Sequence, residues 1–231
     1  MISEPLLTAR GRATRERIVT AAATLMHQHG VAGTSLDDVR AATGTSKSQL
    51  YHYFTDKSVL VGAVIQRQVQ QVLQAQRPEL DGIDSLADLR RWRDRIVELS
   101  RPAGAPGGCP LGRLAAELAE ADRRPPAALV DGFATWQQHL AAGLRRMQER
   151  GQLDAEPDAL AAGLLAAVQG GLLLAQATGS VRPLEAALDL ALSGVAAHLP
   201  PGTGGTSASD AAACVRPGGG RRGSGSRDAG A

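Results

Sequence analysis

The stretch SLDDVRAATGTSKSQLYHYFTDKSVL, residues 35–60, decides the fold. Ser35 stands three residues before Asp38, the spacing of a capping box at a helix start. The helix it opens, LDDVRAA, sets Leu36, Val39 and Ala42 to be buried. Gly44 supplies a tight turn, and Ser46 caps a third helix, Lys47 to Tyr53. Thr55 is placed to cap a fourth. Two short helices joined by a brief turn containing glycine form a helix-turn-helix. The third helix also gathers rare residue types: Tyr51, Tyr53 and Phe54 fall together, and the only lysines of the chain, Lys47 and Lys57, bracket them.

Upstream, Thr14 reads as the N-cap of a first helix, with Glu16 in its opening turn. Its apolar face is Ile18, Ala22, Leu25 and Met26, and Gly30 is placed to end it. Residues 1–13 read as a flexible basic arm. Downstream, the fourth helix is expected to reach about Gln76, before Arg77-Pro78. Ser85 then opens a helix carrying Leu89, Trp92, Ile96 and Leu99. Another runs from about Pro110 to Ala121, and Pro125-Pro126 open a long one ending at Arg150. Pro157 suits the first position of the next, which runs to about Ala177, and Pro183 begins the last. Beyond Leu199 there is almost nothing to bury, so residues 200–231 read as a disordered tail. The expected fold is all-α: a helix-turn-helix domain over 14–60 and a second helical domain over 61–199.

At 231 residues the chain can bury a real core. A formal net charge of +2 means that affinity for an anionic partner rests on local placement. Cys109 and Cys214 lack metal-ligand spacing, and His27 and His29 face different sides of a helix, so neither metal nor cofactor is expected. No nucleophile–base pair or phosphate loop points to an enzyme. The arginine-rich start comes too early for a signal peptide, which favours a cytoplasmic protein. Residues 159–181 carry no charge and could span a bilayer. Their many Ala and Gly residues, with Gln169 and Gln176, make them weakly hydrophobic for that role. A soluble helix covered by its own subunit and a partner has the same composition, and no membrane association is expected.

In a helix-turn-helix the start of the second helix faces base edges in the major groove. Lys47, Ser48 and Gln49 lie there, with donors and acceptors that can reach bases. Tyr51 and Tyr53 offer hydroxyls to phosphates and rings to sugars or a thymine methyl. The start of the fourth helix, with Lys57, can hold a phosphate. Leu50 and Phe54 point the other way and anchor the helix. The plainer alternative makes Tyr51, His52 and Tyr53 surface-packing aromatics of a generic bundle; the order of caps and turn weighs against it.

As an ordered set, the residues of 35–60 resemble the DNA-binding domain of TetR-family transcriptional repressors. The resemblance covers roughly 14–60: a small residue, Lys47, Leu50, Tyr51 and Phe54, then Lys57. It implies DNA contacts at Ser46, Lys47, Ser48, Gln49, Tyr51, Tyr53 and Lys57, and at Thr34 and Ser35. Arg40 departs from the family, which usually has a small residue there; either a phosphate contact or a solvated side chain is consistent with it. Further on, GGCPLGRLAAEL (107–118) and AAGLLAAVQGGLLLAQATGSVRPLEAAL (161–188) look like the LmrA/YxaF-like branch. That implies a ligand-binding and dimerisation domain, and a repressor released by a small apolar or aromatic effector.

Small residues Gly163, Gly170, Gly171 and Gly194 would let the last two helices pair with their symmetry mates as a four-helix dimer interface. A homodimer would place two recognition helices on a palindromic DNA operator. Candidate liners of a ligand pocket are Trp92, Ile96, Leu114, Phe133, Trp136, His139 and Leu140, although large residues at helical spacing usually just fill a core. Cys109, before Pro110 at a helix start, joins them as a possible thiol sensor or as a small buried residue. Two rivals stand beside the repressor: a helical ligand-binding or scaffold protein without DNA binding, and a repressor that responds through Cys109.

Overall fold

Residues 7–101, 108–121 and 126–200 are described by a computed structural model of the chain. They form α1 (Ala9–His29), α2 (Leu36–Thr43), α3 (Lys47–Tyr53), α4 (Lys57–Ala75) and α5 (Leu86–Leu99). The second half supplies α6 (Pro110–Ala121), α7 (Ala127–Glu149), α8 (Pro157–Thr178) and α9 (Arg182–Ala196). No strand occurs among the described residues, in line with the all-α class. The tail expected over 200–231, with Cys214, lies outside the described residues from 201 onward, as does the arm expected over 1–13 up to residue 6.

Most helix starts follow from caps visible in the sequence. Ser35 accepts the Asp38 N–H at 3.1 Å while the Asp38 carboxylate accepts the Ser35 N–H at 2.8 Å, closing the box that opens α2. Ser46 and Gln49 repeat it at α3. Ser85 caps α5 through the Asp88 N–H, and Pro157 sits in the first turn of α8. Gly44 ends α2 at φ +63°, a left-handed conformation that costs glycine little.

Three expectations change. α1 begins at Ala9, not Thr14: Thr8 Oγ1 accepts the Gly11 N–H at 3.1 Å, so the rear of the expected arm is helical. Between Thr8 and Thr14 only Gly11 disfavours a helix, no proline stops one, and Arg and Ala favour it. α4 is capped by Asp56, not Thr55, with its carboxylate accepting the Val59 N–H at 3.0 Å. On α2, Ala42 is exposed and Thr43 is half-buried instead. At 100° per residue Ala42 lies two-thirds of a turn from Leu36, whereas Thr43 returns to the buried face.

One continuous apolar core runs from Ile18 on α1 to Val195 on α9. α4 joins its parts, packing on α1 near one end and on α6 and α7 further along, while α8 lies between α7 and α9. Gly171 makes that last approach possible, since a Cβ there would sit 2.8 Å from Leu184 Cα. α8 is the one described helix long and apolar enough to cross a membrane, but one side of it is packed into this core.

Candidate nucleic-acid interface and internal cavity

α3 is held down by Leu50 and Phe54, both fully buried, and each such burial contributes roughly 1.5–3 kcal/mol. The Arg15 guanidinium covers the Phe54 ring from α1 at 5.5 Å. Everything else on α3 faces outward except Tyr53, which is half-buried. Lys47, Ser48, Gln49, Tyr51 and His52 are therefore brought together on one exposed surface. The Lys47 ammonium lies 6.0 Å from the Tyr51 ring centre, a cation–π distance, and His52 meets Tyr53 edge-on at 5.0 Å.

The remaining expected contacts surround that surface. Ser46 accepts the Gln49 N–H at 3.2 Å, and Gln49 Oε1 accepts the Ser46 N–H at 3.3 Å, which leaves the Gln49 amide nitrogen as its outward donor. Ser35 is exposed at the start of α2. Thr34 is not part of the surface: it is 2% exposed, and its hydroxyl donates to the Gly30 carbonyl at 2.9 Å. Lys57 Nζ donates to the Ala32 carbonyl at 3.3 Å, tying the start of α4 to the α1–α2 turn. Arg40 pairs with Asp37 at 3.0 Å, with both side chains largely exposed. The earlier start of α1 adds a neighbour: a Cβ on Gly11 would lie 3.4 Å from the Tyr53 hydroxyl.

Two acidic caps temper the positive charge here. Asp38 is held below its ordinary value first by hydrogen bonds from the Ser35 hydroxyl and N–H, and Asp56 first by the Ser58 hydroxyl and then the Val59 N–H. Both are ionised at neutral pH. Asp56 was legible as a cap, but the adjacent Thr55 competes for the same role in sequence.

A cavity of about 310 Å³, open to solvent on one side, lies between α4, α5, the start of α6, α7 and α8. Of the expected liners, Ile96, Cys109 and Trp136 reach it. Trp92 is fully buried just behind, its indole N–H donating to Gln76 Oε1 at 2.9 Å, so Gln76 lines the space in its place. Leu140 is core, and Phe133 packs half-buried against that core. Leu114 faces a separate void of about 20 Å³ beneath α1 and α4. His139 lies at the surface with Nδ1 3.4 Å from Asp81. Gln68, Gln71, Val72, Leu99 and Leu172 line the cavity without having been singled out, because no local pattern reveals which helix faces converge.

α6 touches both regions. Its start, Cys109-Pro110, lines the cavity, and the Cys109 thiol accepts from Gln169 at 3.5 Å. Two turns on, Glu117 accepts the Val31 N–H at 2.7 Å in the turn before α2, with Arg113 donating to the same carboxylate at 3.1 Å. His27 and His29 do not converge with other ligands, and no group of three or more potential metal ligands occurs among the described residues.

A short helix pinned by two buried side chains and polar over its outer face is built to meet a polar surface, which in this motif is the major groove. Fold and face together define a DNA-binding transcriptional regulator. Residues 18–64 match the family described as "Bacterial regulatory proteins, tetR family", and residues 85–191 match "Tetracyclin repressor-like, C-terminal domain". The HTH-type regulator in the lacX 3′ region of Lactococcus lactis is 33% identical over 78% of this chain and 91% of its own. The repressor DhaR of a Mycobacterium is 24% identical over 74% and 86%, and YxaF of Bacillus subtilis, a representative of the expected branch, 23% over 77% and 92%. Among solved structures, a TetR regulatory protein from Rhodobacter sphaeroides gives a TM-score of 0.63 at 27% identity, covering 78% of this chain and 97% of that one. SmeT bound to triclosan gives 0.60 at 27%, covering 82% and 93%. The chain belongs to the TetR family: it is a transcriptional regulator of the repressor type and not an enzyme.

Proposed function

We propose that the chain works in the cytoplasm as a homodimer that grips a palindromic operator and lets go when a small, largely apolar molecule enters the α4–α8 cavity. The observation that carries the dimer is the outer side of α8 and α9. Leu173, Leu174 and Leu190 are 66%, 53% and 76% exposed there. Beside them, Gly163, Gly170 and Gly194 have nothing within 4 Å of an added Cβ. Apolar side chains next to glycine-floored spaces on two adjacent helices suit the same face of a second copy. Two recognition helices held about 34–36 Å apart then enter successive major grooves.

On each half-site Lys47, Ser48 and Gln49 read bases. Tyr51, Tyr53 and Lys57 hold phosphates, with Ser35 and Ser46 presenting helix starts to the backbone. Thr34 serves by fixing the turn that presents Ser35. The cavity supports the release step, because α6 begins in its wall and ends on the turn before α2. A ligand that displaces Cys109-Pro110 shifts Glu117 and Val31, and release follows if the ligand prefers that arrangement. SmeT, with its bound triclosan, is a similar protein that takes an aromatic molecule.

A thiol-gated version has one observation in its favour, the place of Cys109 in the cavity wall. Cys109→Ser separates the two, since a ligand-gated repressor keeps its response and a thiol-gated one loses it. The main reading is tested by gel shift with DNA flanking the gene. A discrete complex on a palindrome supports it, and failure to bind any of that DNA points to a ligand-binding or scaffold protein.

A further inference from the structure

The cavity wall divides by chemistry. α5, α7 and α8 present Ile96, Leu99, Leu172 and the ring of Trp136, whose Nε1 is buried. α4 presents Gln68 and Gln71, and neither side-chain amide has a hydrogen-bond partner among the described residues. Three residues apart on one helix, the two stand side by side, with Cβ atoms roughly 5–6 Å apart. The other polar side chains of the wall are committed. Gln76 donates to the Val72 carbonyl at 2.8 Å and accepts from Trp92, Ser100 donates to the Ile96 carbonyl at 2.7 Å, and the Cys109 thiol accepts from Gln169. No charged side chain lines the cavity among the described residues. Gln71 is exposed and Gln68 half-buried, so solvent reaches both in the unliganded protein. A molecule that enters strips water from these amides and loses affinity unless it replaces the bonds. Each amide offers both donor and acceptor.

We propose that the effector is a neutral amphipathic molecule that lays its apolar body against α5, α7 and α8 and sets a polar group on Gln68 and Gln71. That group both donates and accepts, as a phenol, an alcohol or a primary amide does. This rests on the cavity being the effector site. An ion is disfavoured because no counter-charge faces the space, and a pure hydrocarbon takes water from two amides and returns nothing. Gln68 also borders the small void beneath α1, which puts the polar end of the ligand on the helix-turn-helix side of the cavity.

4-Ethylphenol and ethylbenzene, which differ by one hydroxyl, are titrated into the full-length protein and into the double variant Gln68→Leu with Gln71→Leu. The 4-ethylphenol-to-ethylbenzene affinity ratio is expected to fall about tenfold on substitution, a comparison in which the difference in their hydrophobicity cancels. An unchanged ratio overturns the proposal. Two further measurements need no variant. In NMR spectra of the unsubstituted protein, 4-ethylphenol should shift the side-chain amide resonances of Gln68 and Gln71, and ethylbenzene should shift them much less. 4-Ethylbenzoate, an anion of similar shape, should bind about tenfold more weakly than 4-ethylphenol, or worse. Equal amide shifts from the first two probes, a benzoate that binds as well as the phenol, or no binding of 4-ethylphenol up to its solubility limit each overturn it. Operator binding by gel shift is scored separately on the unliganded protein, so failure of the anchor and failure of the regulator reading are told apart.

Discussion

The Lys57 ammonium donates one proton to the Ala32 carbonyl and keeps two for the phosphate proposed for it where α4 begins. Lys57→Ala should therefore weaken binding to all DNA sequences by a similar factor and make the salt dependence shallower by about one unit of slope, as read by fluorescence anisotropy over a salt series. Gln49 should behave differently. Its oxygen is committed to the Ser46 N–H, and its free amide nitrogen faces outward, so Gln49→Ala should change which bases are preferred while leaving the salt slope alone. Selection from a random duplex pool reads that change. At this scale the anchors Leu50 and Phe54 were legible, because an i,i+4 apolar pair on a polar helix has one place to go. Thr34 was not: its neighbour Ser35 has the same chemistry, and only the backbone turn sends one hydroxyl inward and leaves the other outside.

α3 is seven residues long, too short to be helical alone, and relies on its caps and on the burial of its two anchors. Ser46→Ala removes the hydroxyl half of the capping box and should cost about 1 kcal/mol, seen as a lower Tm together with weaker operator binding. The acidic caps of α2 and α4 give these elements a pH dependence. Asp38 and Asp56 have depressed pKa values when folded, so their stabilisation is complete above the unfolded value and is lost as pH falls through the folded one. Helicity should hold steady through neutral pH and decline below about pH 4, and an acid titration of Asp38→Asn with Asp56→Asn should show less of that decline. On α6, Glu117→Gln weakens the bond to the Val31 N–H by removing its charge. Operator binding should persist, and more effector should be needed for release in a competition assay. Helix positions were readable because caps and prolines are local signals. The convergence of Gln68, Trp136 and Leu172 on one cavity was not, since it depends on how three helices cross.

For the molecule as a whole, one apolar core spans the helix-turn-helix and the remaining helices, so the α3 surface is coupled through continuous packing to the helices that carry the proposed dimer face. Both ends of that arrangement were anticipated from composition: the capped polar helix at one, the small-residue helices at the other. The structure divides the glycines by role, with Gly171 closing α8 onto α9 within the chain and Gly163, Gly170 and Gly194 opening outward. Leu190→Glu puts a charge at the centre of the proposed interface and should give a monomer in sedimentation, with its helices intact. The most direct test of the account is the stoichiometry and affinity of the unsubstituted protein on a selected palindromic duplex against its isolated half-site. The account predicts one dimer per palindrome, at least a hundredfold loss of affinity on the half-site (about 2.8 kcal/mol or more), and steep weakening between 50 and 200 mM salt. Equal affinity for the two duplexes, or one independent monomer on each half-site, would contradict it.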